Sequence, residues 1–265
     1  MKALLAQLEP GADPEQNAGR VCGLIDERDC DLAVFPELFL GGYSTAGIAE
    51  RALSLDSPVL LSIADACRRN KTAAIVGFTE AIDSAAGRYG NSAVCLDTDG
   101  STRAVYRKTH LFGPAEVEAF VQGDKLEVVE LGGTATGPLI CFDTEFPEPA
   151  RQLAETGADL LVTVAANMEP YGDDHELASR ARALDNRRFH LYVNRVGEEA
   201  GLRFVGRSRV IAPDGSTIEE LGDEEGLIEV EIEPGAEQAS EPVDYLRHLR
   251  KNLTVSVEVP NRGEI

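Results

Sequence analysis

Three residues in this chain stand where acyl chemistry could start. Cys141 closes the apolar run Gly137-Pro-Leu-Ile-Cys141 and opens the polar stretch Phe142-Asp-Thr-Glu-Phe-Pro-Glu148, a pattern that predicts strand, sharp turn and helix. Pro147 and Pro149 suit the first turn of a helix, and Glu145 and Glu148 suit the positive end of its dipole. A thiol at such a corner lies near backbone N–H groups that favour the thiolate and can hold an oxyanion. On this stretch alone, a small buried cysteine without chemistry is an equally good reading. Two other polar residues change that balance: Glu37 ends Asp31-Leu-Ala-Val-Phe-Pro-Glu37, and Lys108 ends Thr102-Arg-Ala-Val-Tyr-Arg-Lys108. In a sheet whose strands direct their ends to one edge, Glu37, Lys108 and Cys141 converge. Carboxylate, ammonium and thiol then supply a base, an oxyanion partner and a nucleophile.

The chain resembles the carbon-nitrogen hydrolases, or nitrilase superfamily. The resemblance runs over nearly its whole length and rests on Phe35-Pro-Glu37-Leu-Phe-Leu-Gly-Gly-Tyr43, Tyr106-Arg-Lys108-Thr-His-Leu-Phe-Gly113, Glu116 with Gly123-Asp124, and Cys141-Phe-Asp-Thr-Glu-Phe-Pro-Glu148. It implies a Glu-Lys-Cys triad of Glu37 as general base, Lys108 and the nucleophile Cys141, with Glu116 as a second glutamate propping the lysine and the substrate. It further implies an α-β-β-α sandwich, two mixed sheets back to back with helices outside, and no cofactor. Subunits of the family usually pair through helices that match Glu145 to Thr156 and Asp174 to Arg188 here. True nitrilases generally place tryptophan after the cysteine, whereas this chain contains no tryptophan and has Phe142-Asp143 there. That resembles the bacterial amidase branch, so the expected reaction is hydrolysis of a small carboxamide to carboxylate and ammonia. N-carbamoyl amino acid hydrolysis is the alternative, with Arg180, Arg182, Arg187 and Arg188 as a clamp for the acid; a nitrilase is a further one. A non-catalytic relative would be expected to lack part of the triad, and no part is missing.

Composition narrows the setting. The 265 residues, 43% of them apolar, suit one domain with ample core, residues 234–265 forming a polar C-terminal arm with prolines at 234, 242 and 260. Acidic residues outnumber basic ones 46 to 25, a formal charge of −21 spread along the chain, which disfavours nucleic acid and anionic membranes as partners. Such an acid-rich, lysine-poor balance fits either a salt-loving host or a GC-rich genome that trades lysine for arginine. The run Met1 to Leu8 is too short for a secretory leader, and no stretch reaches the roughly 18 apolar residues of a membrane span. Five scattered cysteines show neither metal nor disulfide spacing. The expected location is therefore the cytoplasm.

The elements that must position the three residues begin as alternating strand and helix. Strands are expected over Lys2 to Leu8, Asp31 to Phe35 and Thr72 to Thr79, and helices over Pro14 to Arg28, capped by Asp13, and Ser57 to Asn70. Asn91 to Leu96 and Ser101 to Arg107 flank the turn Asp97-Thr-Asp-Gly100. Past Cys141 a helix ends at Gly157, and a buried strand from Asp159 to Ala165 delivers Asn167 to the pocket edge. A helix capped by Asp173 or Asp174 runs to Arg188, with Leu177, Ala178, Ala181 and Leu184 on its apolar face. Strands follow over Phe189 to Val196, Arg203 to Ile211 and Gly226 to Glu233. One doubly wound sheet would accommodate the alternation, but the hairpins in both halves favour two packed sheets.

The remaining polar residues have plainer readings. His110 could form a Cys-His dyad, yet it reads better as a structural hydrogen-bonding residue. The run Asp173-Asp-His-Glu176 could hold a metal but reads better as capping and dipole complement. Tyr43, Phe142, Asn167 and Tyr171 are the candidates to line a substrate pocket. The helix pair bearing Leu153, Leu177, Ala178, Ala181 and Leu184 predicts self-association, with the C-terminal arm reaching across a twofold axis. Light scattering at micromolar concentration is expected to give at least the mass of a dimer of the 28.5 kDa chain, and a monomer mass would refute the expectation.

Overall fold

The computed structural model describes residues 1–235, 245–251 and 253–254. Its first half runs β1 (Lys2–Gln7), α1 (Pro14–Glu27), β2 (Leu32–Val34), α2 (Ile48–Arg51), α3 (Pro58–Asn70), β3 (Ala73–Asp83), β4 (Arg88–Leu96), β5 (Thr102–Arg107) and α4 (Gly113–Ala119). The second half runs β6 (Val129–Leu131), β7 (Thr134–Ile140), a 3-10 turn (Cys141–Glu145), α5 (Pro147–Thr156), β8 (Leu160–Ala165), α6 (Gly172–Asn186) and β9 (Phe189–Asn194). It closes with β10 (Val196–Glu199), β11 (Leu202–Val205), β12 (Arg209–Ile211), β13 (Thr217–Glu220), β14 (Gly226–Glu231) and α7 (Tyr245–His248).

The strands form two six-stranded mixed sheets, ordered β14-β1-β2-β3-β4-β5 and β13-β12-β9-β8-β7-β6, with β10-β11 as a separate ribbon. In each, a parallel trio sits between antiparallel neighbours. Period-two alternation assigns the faces. Ala3, Leu5, Val34 and Ile75 turn inward and meet Ile140, Val162, Val164 and Leu191 of the other sheet in one buried cluster. Leu4, Ala6, Ala33, Val76 and Phe78 turn outward against Val21 and Ile25 of α1 and Leu60 and Ile63 of α3. On the far side Leu139 and Leu161 pack against Ala150 and Leu153 of α5. The expected α-β-β-α sandwich is thus the fold.

Local signals explain the helix ends. Asp13 accepts from the N–H of Glu15 at 2.9 Å and caps α1, and Gly157, left-handed at φ 108°, ends α5. The expected turn at Asp97 to Gly100 is present, with Gly100 N–H donating to Asp97 O at 2.8 Å.

Several expectations need correction. Arg203 to Ile211 is not one strand: Gly206 and Arg207 are both left-handed, at φ 63° and 57°, and two such residues cannot continue an extended ladder, so β11 and β12 belong to different sheets. Likewise Phe189 to Val196 breaks after Asn194. Asp173 and Asp174 do not cap α6 but sit inside its first turn, where Asp173 pairs with Arg207 at 2.8 Å. The inward face of α6 is also the reverse of the expected one. His175, Ser179, Arg182, Ala183 and Asn186 are buried, whereas Leu177 and Leu184 are exposed. Helix α6 therefore packs on its sheet through hydrogen bonds. Helices α2 and α4 and strands β6 and β13 are additional to the sequence reading. Of the expected arm, α7 brings Tyr245 under the Arg187 guanidinium at 4.0 Å and Lys251 lies 3.1 Å from Glu155; the rest of that expectation lies outside the described residues.

His190 on β9 lies at the centre of the polar layer beneath α6, fully buried. Its Nδ1 is 3.0 Å from the carbonyl of Ser179 and its Nε2 2.8 Å from the Thr163 hydroxyl. A neutral ring with its proton on Nδ1 satisfies both, and burial lowers its pKa from 6.5 to about 4. As pH falls below 6.5 the unfolded chain takes up a proton that the folded chain refuses, so stability falls until about pH 4. The full difference is worth about 3 kcal/mol. Urea unfolding across this window is expected to show that slope, and His190→Gln to flatten it.

Candidate active site

Strand direction brings the chemistry to one edge. β2 is parallel to β3, and β5 is two reversals from β3, so the ends of β2 and β5 point the same way. Glu37 lies just past β2, Lys108 just past β5, Cys141 just past β7 and Asn167 just past β8. All four are buried.

Lys108 Nζ lies 2.7 Å from Glu37 Oε1 and 2.9 Å from Glu116 Oε1. Burial works to lower the pKa of this lysine, but the two carboxylates outweigh it and hold the ammonium well above the ordinary lysine range. Lys108 is therefore a fixed positive charge and no base. Glu37 is held on three sides: Asn91 Nδ2 donates to Oε1 at 2.7 Å, as Lys108 does, and the backbone N–H of Ala166 donates to Oε2 at 2.7 Å. Glu116, on α4, accepts from the Tyr43 hydroxyl at 2.7 Å and the N–H of Phe112 at 2.8 Å. Burial pushes its pKa up against the pull of Lys108.

Cys141 adopts φ 46°, a left-handed conformation that is uncommon for a residue with a side chain. The chain turns there from β7 into the 3-10 turn, so the expected strand-to-helix corner is present, with a break at Phe146 before α5 begins. Burial first, and then the Glu37 carboxylate, push the thiol well above its usual pKa. At rest the group is therefore a neutral thiol. Asp143 fixes this corner. Its Oδ2 accepts from the N–H of Ile140 at 3.1 Å and from the Tyr106 hydroxyl at 2.7 Å. Its Oδ1 accepts from the N–H of His110 and the hydroxyl of Thr109, both at 2.8 Å. His110 thus has the structural place expected of it, 2.8 Å from Asp143 through Nδ1 and stacked on Phe146.

A narrow cavity opens at Cys141, with free space of about 230 Å³ counting its mouth. Most of that space belongs to the mouth, so only a narrow opening leads to the thiol. All four expected pocket residues line it: Tyr43, Phe142, Asn167 and Tyr171, joined by Phe112 and Met168. The roles of the first three differ. The Tyr43 hydroxyl is engaged with Glu116 and its ring with Phe204. Asn167 is anchored by Asn194, which accepts from its N–H at 2.7 Å and donates to its carbonyl at 3.1 Å. The rings of Phe142 and Tyr171 both meet Phe112 edge-on at 5.3 Å. Glu145 and His175, read from sequence as helix complement and capping, also line the cavity. Nothing in the sequence marks Asn91 or Ala166 for a site role, and Asp143 stands out there only as the partner of Phe142 in the amidase-like pair. An Asp three residues past a strand end, able to reach back to its N–H groups, was the available signal for Asp143. Arg180, Arg182, Arg187 and Arg188 do not line the cavity; Arg180 donates to Gly215 O and Arg188 to Ala158 O.

The family profile of the carbon-nitrogen hydrolases matches residues 2–240. The chain belongs to the carbon-nitrogen hydrolase family. This hydrolase is 41% identical over 207 residues to a hydrolase from the pqqF 5′ region of Pseudomonas protegens, covering 77% of this chain and 72% of that protein. It is 37% identical over 230 residues to an (R)-stereoselective amidase from a Pseudomonas species, covering 85% and 82%. Among solved structures it is similar to the nitrilase-superfamily amidase of Nesterenkonia sp. AN1, with a TM-score of 0.83, 30% identity and 94% of each chain covered. In one structure of that amidase the acetamide moiety of fluoroacetamide is covalently added at the active-site cysteine.

Gly77 on β3 is needed for the placement of Glu37. A Cβ there would stand 2.3 Å from Pro36 O and 2.6 Å from Glu37 Cα. A glycine inside an otherwise apolar strand was the sequence signal for this close approach. Gly77→Ala is expected to destabilise the hydrolase by about 3 kcal/mol or more in urea unfolding. It should also lower the rate per folded molecule, and an unchanged unfolding midpoint would contradict this account.

Proposed function

We propose that this hydrolase is an amidase that cleaves a small carboxamide to carboxylate and ammonia through a Cys141 thioester. The observation that carries the reading is the buried trio of Glu37, Lys108 and Glu116 beside a neutral thiol, at the foot of a narrow cavity. Support also comes from the amidases among its relatives, including 2-oxoglutaramate amidases from Paenarthrobacter nicotinovorans and Bacillus subtilis.

In this reading Glu37 takes the thiol proton as sulfur bonds to the amide carbon and the carbonyl electron pair moves to oxygen. Lys108 and the N–H of Phe142 hold that oxyanion. As the adduct collapses, the C–N bond breaks, Glu37 returns the proton to nitrogen, and ammonia leaves a thioester. A water molecule, deprotonated by the same carboxylate, attacks the thioester; the C–S bond breaks and the thiolate regains its proton. Glu116 positions Lys108 throughout and is itself held by Tyr43 and Phe112. No cofactor enters these steps. N-carbamoyl amino acids fit less well, because the arginines that could clamp their carboxylate lie away from the cavity.

The test is ammonia release over a panel of simple carboxamides, the matching nitriles and N-carbamoyl amino acids. Carboxamides are expected to be the best substrates; turnover of nitriles alone would overturn the amidase reading. Cys141→Ala is expected to abolish turnover. Lys108→Ala should cost on the order of a thousandfold in kcat, the loss of one preorganised oxyanion donor.

A further inference from the structure

The cavity above Cys141 holds a charge that the hydrolytic steps do not use. Glu145, four residues past the nucleophile at the end of the 3-10 turn, lines the cavity with its side chain 29% exposed. Around it stand the rings of Tyr43, Phe112, Phe142 and Tyr171. Among the described residues, no lysine or arginine lines this cavity.

Behind Glu145 lies His175, with Nε2 3.1 Å from the Glu145 Oε1. Its Nδ1 is 2.8 Å from the Tyr192 hydroxyl. Tyr192 is completely buried, and that burial keeps its proton on oxygen. The hydroxyl can therefore donate to Nδ1 while the Nε2 side of the ring faces Glu145. In this arrangement the imidazole orients the Glu145 carboxylate.

We propose that Glu145 and the surrounding rings recognise an ammonium group on the substrate, so that the preferred carboxamides are amino-acid amides and short aminoalkyl amides. The proposal rests on the amidase reading and names its substrate class. A carboxylate supplies the counter-charge, and the faces of aromatic rings attract cations through their quadrupoles. The same carboxylate, in a narrow cavity lined by no lysine or arginine among the described residues, repels an acid-bearing amide. The overall charge of −21 works in the same direction, concentrating cations near the protein and thinning anions.

Three amides test this: 3-aminopropanamide, cationic at neutral pH; its neutral isostere butanamide; and succinamate, which carries a carboxylate at the same position. Ammonia release gives kcat/KM for each with the wild type, Glu145→Gln and Glu145→Lys. The wild type is expected to prefer the cation over butanamide by about tenfold or more, mainly through KM, with succinamate last. Glu145→Gln should reduce the cation-to-neutral ratio about tenfold, and Glu145→Lys should reverse the order of the charged substrates. A ratio unchanged by Glu145→Gln, or a wild type that favours succinamate over 3-aminopropanamide, overturns the proposal. The wild-type order is decisive by itself should a variant fail to fold. If the trio releases no ammonia while the matching nitriles do, the amidase reading falls, and the same ratios over the nitriles still judge Glu145.

Discussion

One buried cation organises the whole edge of the sandwich. Lys108 has no exposure, and its ammonium is stable there because Glu37 and Glu116 both touch it. Removing either carboxylate would take from the ammonium one of the two partners that keep it charged in a region that water does not screen. Each carboxylate is in turn held by groups that hold little else: Asn91 and the N–H of Ala166 for one, Tyr43 and the N–H of Phe112 for the other. The approach of Gly77 to Glu37, the helix α4 that carries Glu116 and the pinning of Tyr43 by Glu199 all follow from the need to surround one ammonium.

Much of this was legible in the sequence, because the signals were local. Apolar runs that stop at Glu37, Lys108 and Cys141 locate three strand ends, and hairpins in both halves distinguish two sheets from one. The partners of those residues were illegible where they are backbone groups or distant side chains. The N–H of Ala166 carries no sequence signature, and Asn91 is an ordinary polar residue in a strand until β4 is laid beside β3. Helix α6 shows the opposite failure. Its leucines suggested an inward apolar stripe, yet hydrogen bonds from His190 and Arg209 to the helix's own Ser179 decide which face turns in. Periodicity reads burial of apolar groups and is blind to a buried polar layer. Glu145 and His175 escaped for a related reason: helix-end electrostatics was a sufficient local explanation, and only the fold shows that both face a cavity.

Polar groups fill the layer beneath α6 as hydrocarbon fills the other layers. Thr144, Thr163, His190 and the Ser179 carbonyl form a continuous chain of contacts from the end of the 3-10 turn to the middle of the helix. Such a chain fixes relative position more tightly than packing does, since each donor accepts few alternative partners. The corner bearing Cys141 is therefore anchored twice, once by Asp143 on the side of the first sheet and once by Thr144 on the side of α6.

The bond from Ala166 to Glu37 and that from Tyr106 to Asp143 both cross between the two sheets. The residues they join are 129 and 37 positions apart, so neither bond can form while the chain is only locally organised. Contacts of such separation are made late, after the loops between them have been closed at an entropic cost. The first sheet also waits for β14, which comes from the far end of the chain to pair with β1. The edge that gathers Glu37, Lys108 and Cys141 therefore exists only where the two sheets meet, and a chain with its halves apart lacks it.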